Sequence, residues 1–196
     1  MKIIIIDNYD SFTYNLYQYV AEIADCNPFV FLNDKINYEE IEKIKPNAII
    51  ISPGPGNPAN EKDFGVSEIV LQQTEVPTLG VCLGHQGIGL LAGGYLTEAT
   101  EIVHGKASEI YHSGEDIFTN MPQGFNAIRY HSLMIEKETF PPSLEKIAWT
   151  TDDSIMAVKH KMRPFWGVQF HPESIGTEYG KDLLRNFITL ARAYKK

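Results

Sequence analysis

Cysteine is scarce in this chain: Cys26 and Cys82 are the only two among 196 residues. Two cysteines cannot build a disulfide framework, and their spacing is not that of a metal-binding cluster. A reduced, cytoplasmic setting is the expectation that follows. Long apolar runs are also missing. They reach four residues, as in Ile3–Ile6 and Ala48–Ile51, against the roughly 20 that a membrane helix needs. Met1-Lys2 leads straight into the first run and then Asp7, which is too short for a signal-peptide core and offers no cleavage site. Basic residues are in deficit: 17 Lys and Arg stand against 25 Asp and Glu, a formal net charge of −8. That balance disfavours a nucleic-acid-binding face, which needs clustered cations. Only Lys195-Lys196 hints at a cluster, and a charged tail is ordinarily solvated. With no internal repeat, low-complexity tract or linker, residues 1–196 read as one domain.

What is present alternates. Lys2–Ile6 reads as a continuous apolar strand, followed by a turn over Asp7–Ser11 in which Ser11 or Asp10 caps a helix reaching Ala24. Phe12, Leu16, Tyr19, Val20 and Ile23 recur along it at helical spacing. Phe29–Leu32, Ala48–Ser52 and Thr78–Val81 read as further strands. Tyr38–Lys45, Val66–Gln73 and the stretch from Cys82 to Ala92 read as helices. Continuous apolar strands alternating with amphipathic helices imply a parallel sheet covered on both faces. The second half differs: Ala107–Tyr111, Ala127–Tyr130, Lys146–Thr150, Ile155–Lys159 and Phe165–Phe170 are short strands separated by turns, before a closing helix over Glu178–Tyr194. The expected fold class is therefore α/β: a three-layer, flavodoxin-like, mostly parallel central sheet with an antiparallel extension and a small accessory sheet. Ligands in such sheets bind beyond the carboxyl ends of the strands. The loops Asp7–Ser11, Pro53–Pro58 and Cys82–Gln86 all follow strands and should converge there.

Gly80-Val-Cys82-Leu-Gly84 runs from a strand into a helix, which is a nucleophile-elbow pattern with sulfur in place of the serine oxygen. The glycines leave room at the crossing, the helix dipole favours thiolate, and the Leu83 N–H is placed to donate to an oxyanion. Cys26 has no such context. A nucleophilic cysteine needs a base. Of His104, His112, His131, His160 and His171, the last stands out because it follows a strand and opens His171-Pro172-Glu173. Pro172 stiffens the link, so Glu173 can orient the ring. His85, beside the cysteine, is the rival base. Pro53-Gly54-Pro55-Gly56 is either a rigid turn or a loop whose only N–H donors, Gly54 and Gly56, face the sulfur. Neither a Walker lysine nor the dinucleotide glycine spacing is present.

With these motifs in register along essentially the whole chain, the sequence resembles a class I, triad-type glutamine amidotransferase. Ile6–Asn15, His104-Gly-Lys106 and Arg129-Tyr-His-Ser-Leu133 make it similar to the small glutaminase subunits of chorismate-using synthases: component II of aminodeoxychorismate synthase and of anthranilate synthase. The resemblance implies Cys82, His171 and Glu173 as the catalytic triad. It implies Gly54 and Leu83 at the oxyanion, with Pro55 and Gly56 in the same loop, and Gln86, Ser132 and Leu133 around the ends of the glutamine substrate. It implies no metal and no cofactor, and a chorismate-binding synthase subunit as heteromeric partner. Asn8–Phe12 and His104–Lys106 should lie near the site and face that partner. The segment Asn57–Gly65 looks like the loop of fused aminodeoxychorismate synthases, which tilts the expectation to p-aminobenzoate formation over anthranilate formation, with a subunit shared by both as a further alternative. Two other classes stay open: a γ-glutamyl peptidase, and a flavodoxin-like binding module with Asp7–Thr13 as a phosphate loop.

Overall fold

The computed structural model describes residues 1–99 and 105–194; His104, Lys195 and Lys196 lie outside the described residues. Five parallel strands form one half of a nine-stranded sheet: β1 (Ile3–Asp7), β2 (Phe29–Leu32), β3 (Ala48–Ile51), β4 (Thr78–Val81) and β11 (Phe165–Val168). Antiparallel strands continue it: β10 (Ile155–His160), β9 (Leu144–Trp149), β6 (Lys106–His112) and β7 (Phe125–Arg129). The spatial order is β2-β1-β3-β4-β11-β10-β9-β6-β7. The accessory sheet pairs β5 (Leu96–Glu98) with β8 (Leu133–Ile135).

The isoleucine runs explain the layers. Side chains alternate across a strand, so Ile3, Ile5, Ala48 and Ile50 face one core, with helices α1 (Thr13–Ala24) and α6 (Gly180–Ala193) over them. Ile4, Ile6, Ile49 and Ile51 face the other, under α2 (Tyr38–Ile44), α4 (Val66–Gln73) and α5 (Leu83–Leu91). A short helix α3 (Glu61–Phe64), which the sequence reading leaves as loop, precedes α4. This is the expected three-layer α/β architecture. No described helix is long and apolar enough to cross a membrane.

Several boundaries shift by one or two residues, and two helix starts do so for identifiable local reasons. Neither Ser11 nor Asp10 occupies the N-cap of α1; Phe12 does, without a side-chain cap. Asp10 instead accepts the Phe12 N–H at 2.8 Å, and Asp7 accepts the Asp10 N–H and the Thr13 hydroxyl. The last helix begins at Gly180 because Tyr179 is left-handed, at φ 56°.

Because β1, β3, β4 and β11 are neighbours and parallel, the loops after them meet at one edge of the sheet.

Candidate active site

Cys82 sits where β4 turns into α5, with φ 51° and ψ −96°. A non-glycine residue held there carries of order 1–3 kcal/mol of strain. Packing supports it. The Cys82 N–H donates to Val168 O at 2.8 Å, and its carbonyl accepts from Gln86 N–H at 3.0 Å. A Cβ at Gly80 would lie 2.5 Å from the Gly84 carbonyl, and one at Gly84 would lie 2.7 Å from Ile51 O. Both glycines are therefore required by strand–helix contact. The Leu83 side chain is buried in the core, and only its backbone belongs to the turn; as a first-turn N–H it has no intrahelical acceptor.

His171 and Glu173 are both buried, and His171 Nδ1 lies 2.6 Å from Glu173 Oε1. The His171 backbone is pinned by its N–H to Ile128 O and by the Thr177 hydroxyl on its carbonyl. Burial alone lowers the imidazole pKa, but the Cys82 sulfur and the Glu173 carboxylate reverse this and raise it to about 10. The carboxylate holds the ring through Nδ1, while Nε2 has no hydrogen-bond partner among the described residues; the nearby sulfur and carboxylate favour the protonated ring. The rival His85 has the opposite setting. It is wholly buried, neither ring nitrogen has a partner at ordinary hydrogen-bond geometry among the described residues, and burial lowers its pKa to about 4. A Cβ at Gly167 would sit 2.8 Å from its Nδ1, so the ring lies against β11.

Two cavities flank Cys82. One, of about 160 Å³, is lined by Gly54, Pro55, Gly56, Cys82, Gln86, Ser132 and Leu133 among others. The other, of about 300 Å³, opens between Tyr9, Phe12, Tyr130 and His171. A larger space of about 580 Å³ lies between α2 and α4, lined by Tyr38, Glu42 and Glu75, and among the described residues has no cysteine or histidine in its wall.

The walls of the smaller cavity are held from behind. Asn8 donates its backbone N–H to Ser52 Oγ and its side-chain amide to Ser52 O, each at 2.9 Å, while Asn33 and Ser67 donate to its Oδ1. Gly54 packs against Asn8, where a Cβ would come within 2.6 Å. Asn8 is thus a buried strut of the Pro53–Gly56 loop and does not face outward. Gly56 has φ +92°, and Asp63 Oδ2 accepts the next N–H, that of Asn57, at 3.0 Å. On the opposite wall, His131 accepts from Arg129 Nε at 2.9 Å and donates Nδ1–H to Leu133 O. Burial and the Arg129 charge lower its pKa to about 3, so it is neutral. Leu133 O also accepts from Gln86 Nε2 at 2.8 Å, and Ser132 O accepts from Ala99 N–H.

The remaining candidates go elsewhere. His112 stacks on Phe118, and His160 accepts two turn N–H groups. Cys26 packs at the margin of the α1–α6 core. The phosphate-loop alternative fails on charge, because the Asp7 and Asp10 side chains occupy that turn. Sequence reasoning missed two groups. Tyr130 stands edge-on to His171 at 5.0 Å and stacks on the exposed Phe12 at 5.7 Å. Gln169 is buried and donates to Cys82 Sγ. Strand alternation was the available signal for Gln169, since residues 169 and 171 share a side when Phe170 enters the core.

The model of the class-I glutamine amidotransferase family matches residues 4–191. The chain belongs to that family. This amidotransferase is similar to an anthranilate synthase component 2 from Pyropia yezoensis, 52% identical over 95% of this chain and 98% of that one. It is similar also to an aminodeoxychorismate synthase from Streptomyces pristinaespiralis, 43% identical over 97% of this chain but only 26% of that one. A solved glutamine amidotransferase from Thermotoga maritima superimposes with a TM-score of 0.81 over 98% of this chain and 99% of that one; at 13% identity it speaks for the amidotransferase fold alone.

Proposed function

We propose that this amidotransferase is the glutaminase subunit of a chorismate-using synthase, with Cys82 as nucleophile, His171 as acid–base and Glu173 as orienter. The observation that carries the chemistry is the buried series of sulfur, imidazole and carboxylate beside a small polar pocket. The Cys82 sulfur attacks the side-chain carboxamide carbon of glutamine. Its developing oxyanion faces the N–H groups of Leu83 and Gly54. The C–N bond breaks as ammonia leaves with a proton from His171. Water then adds to the glutamyl thioester and gives a proton to His171; glutamate departs as the C–S bond breaks and its electron pair returns to sulfur, beside the reprotonated ring.

The pocket's hydrogen bonding narrows how glutamine is held. Both Gln86 Nε2 hydrogens are engaged, with Leu133 O and Gln169 Oε1. Its Oε1 remains, an acceptor suited to the substrate's α-ammonium. The Ser132 and Leu133 carbonyls are likewise engaged, so Ser132 meets the α-carboxylate with its N–H and hydroxyl.

For the branch served, we infer anthranilate formation in place of the p-aminobenzoate branch that Asn57–Gly65 suggests. The anthranilate relative shares more sequence, 52% against 43%. The loop also has a local use that explains its composition: Asn60 caps α3, Asp63 holds the turn at Asn57, and Phe64 is buried against Gly87. The test is reconstitution with chorismate-binding subunits of each branch. Glutamine-dependent anthranilate formation is expected with one, and no aminodeoxychorismate with the other; the reverse would overturn the branch. Equal glutamine turnover with and without either partner would point to an independent hydrolase.

A further inference from the structure

Gln169 has no part in the mechanism above, yet its side chain joins two groups that do. It is wholly buried, and its backbone N–H is fixed to Met156 O at 2.8 Å. Its Nε2 donates to Cys82 Sγ at 3.6 Å, an ordinary distance for a hydrogen bond to sulfur. Its Oε1 accepts from Gln86 Nε2 at 3.3 Å. The two contacts orient the amide. Reversed, it would set an oxygen against the sulfur and an NH₂ against the Gln86 NH₂, so both contacts would be lost.

We propose that Gln169 is a positioning residue for the nucleophile, a relay that couples the glutamine-binding Gln86 to the Cys82 sulfur. The inference rests on the reading of Cys82 as nucleophile. Two physical effects support it. A fixed, buried N–H stabilises negative charge on sulfur more than it stabilises neutral thiol, and it requires no reorganisation when the charge forms. Hydrogen bonds in a chain also polarise one another. A substrate ammonium on Gln86 Oε1 makes Gln86 Nε2 a better donor to Gln169, and Gln169 Nε2 in turn a better donor to sulfur. Occupancy of the pocket is thereby felt at the nucleophile. His171 is the titratable group facing the same sulfur, and it supplies the proton transfer that an amide cannot.

Two substitutions separate the halves of the relay. Gln169→Glu keeps an acceptor for Gln86 and removes the donor to sulfur; Gln169→Met, of similar length, removes both. Each is measured in the reconstituted complex, with alkylation of Cys82 by iodoacetamide followed by mass mapping. Gln169→Glu is expected to lower kcat about tenfold with KM little changed, and to slow Cys82 alkylation at neutral pH about tenfold, with the deficit closing as pH rises. Gln169→Met should show the same loss in kcat and a several-fold rise in KM. Wild-type alkylation rates and pH profile in both variants, with only folded yield reduced, would reduce Gln169 to a packing residue and overturn the proposal. So would an equal KM rise in both. Cys82→Ser is the separate control: glutamine-dependent turnover surviving in it would sink the nucleophile reading itself, whereas an inactive Cys82→Ser beside normal Gln169 variants would sink only the relay.

Discussion

Two buried histidines lie on either side of the elbow, and they have opposite chemistry. His171 sits between a sulfur and a carboxylate and is raised to about 10; His85 sits against the bare backbone of Gly167 and is lowered to about 4. Both are shielded from water to nearly the same degree. Burial therefore does not separate them. What differs is whether a negative partner waits inside, and that follows from strand ends: β11 delivers His171 and then Glu173 through Pro172, while α5 turns His85 back toward the sheet. A histidine next to the cysteine in sequence is thus an inert core residue, and one 89 positions away becomes its proposed partner.

The largest test of this contrast is a pair of substitutions. His171→Ala should lower glutaminase kcat about 10⁴-fold in the reconstituted complex, because the group proposed to protonate the leaving ammonia is gone. His85→Asn should stay within about tenfold of wild type. Similar losses in the two would end the distinction.

A smaller effect sharpens it. Glu173→Ala should lower kcat about 10²-fold, since an orienter assists the base without replacing it. The same change removes a hydrogen bond and a charge that both raise the imidazole pKa. The His171 ring should then release its proton at lower pH than in the wild type. NMR titration of the ring, with His171 assigned, reads this directly; an unmoved titration would mean that Glu173 does not govern the ring.

How much of this was legible depended on how local the cause is. Phe29–Leu32, Val66–Gln73 and Thr78–Val81 form as read, because each is a short apolar or amphipathic segment bounded by its own breakers. The three-residue strands β5 and β8 carry too little pattern to announce themselves, and the four-residue α3 depends on the Asn60 cap. The elbow was legible because its glycines and cysteine act on one another within five residues. Gln169 was not, because its meaning is a contact with a sulfur 87 residues earlier. The Asn57–Gly65 loop has a cause of the same kind: Phe64 packs against Gly87, which only the fold brings to it.

The last test moves from rate to stability and separates the histidines by pH alone. His85 takes a proton at 6.5 when unfolded and at about 4 when folded. Between those values the unfolded chain binds more protons, so stability rises with pH and is lost as pH falls. At pH 5 that single residue costs about 2 kcal/mol relative to neutral pH. His131, lowered to about 3, adds a loss of the same sign. His171 works the other way: raised to about 10, it contributes stability that is fully present below 6.5 and disappears as pH climbs toward 10. Urea midpoints measured from pH 4 to 10 should therefore fall on both sides of neutrality, for different reasons. His85→Leu should flatten the slope between 6.5 and 4, whatever it does to the midpoint at pH 7, and leave the alkaline limb in place. Glu173→Ala should flatten the alkaline limb and leave the acid one. If His85→Leu left the acid slope unchanged, the ring would not be the neutral core group that its surroundings make it.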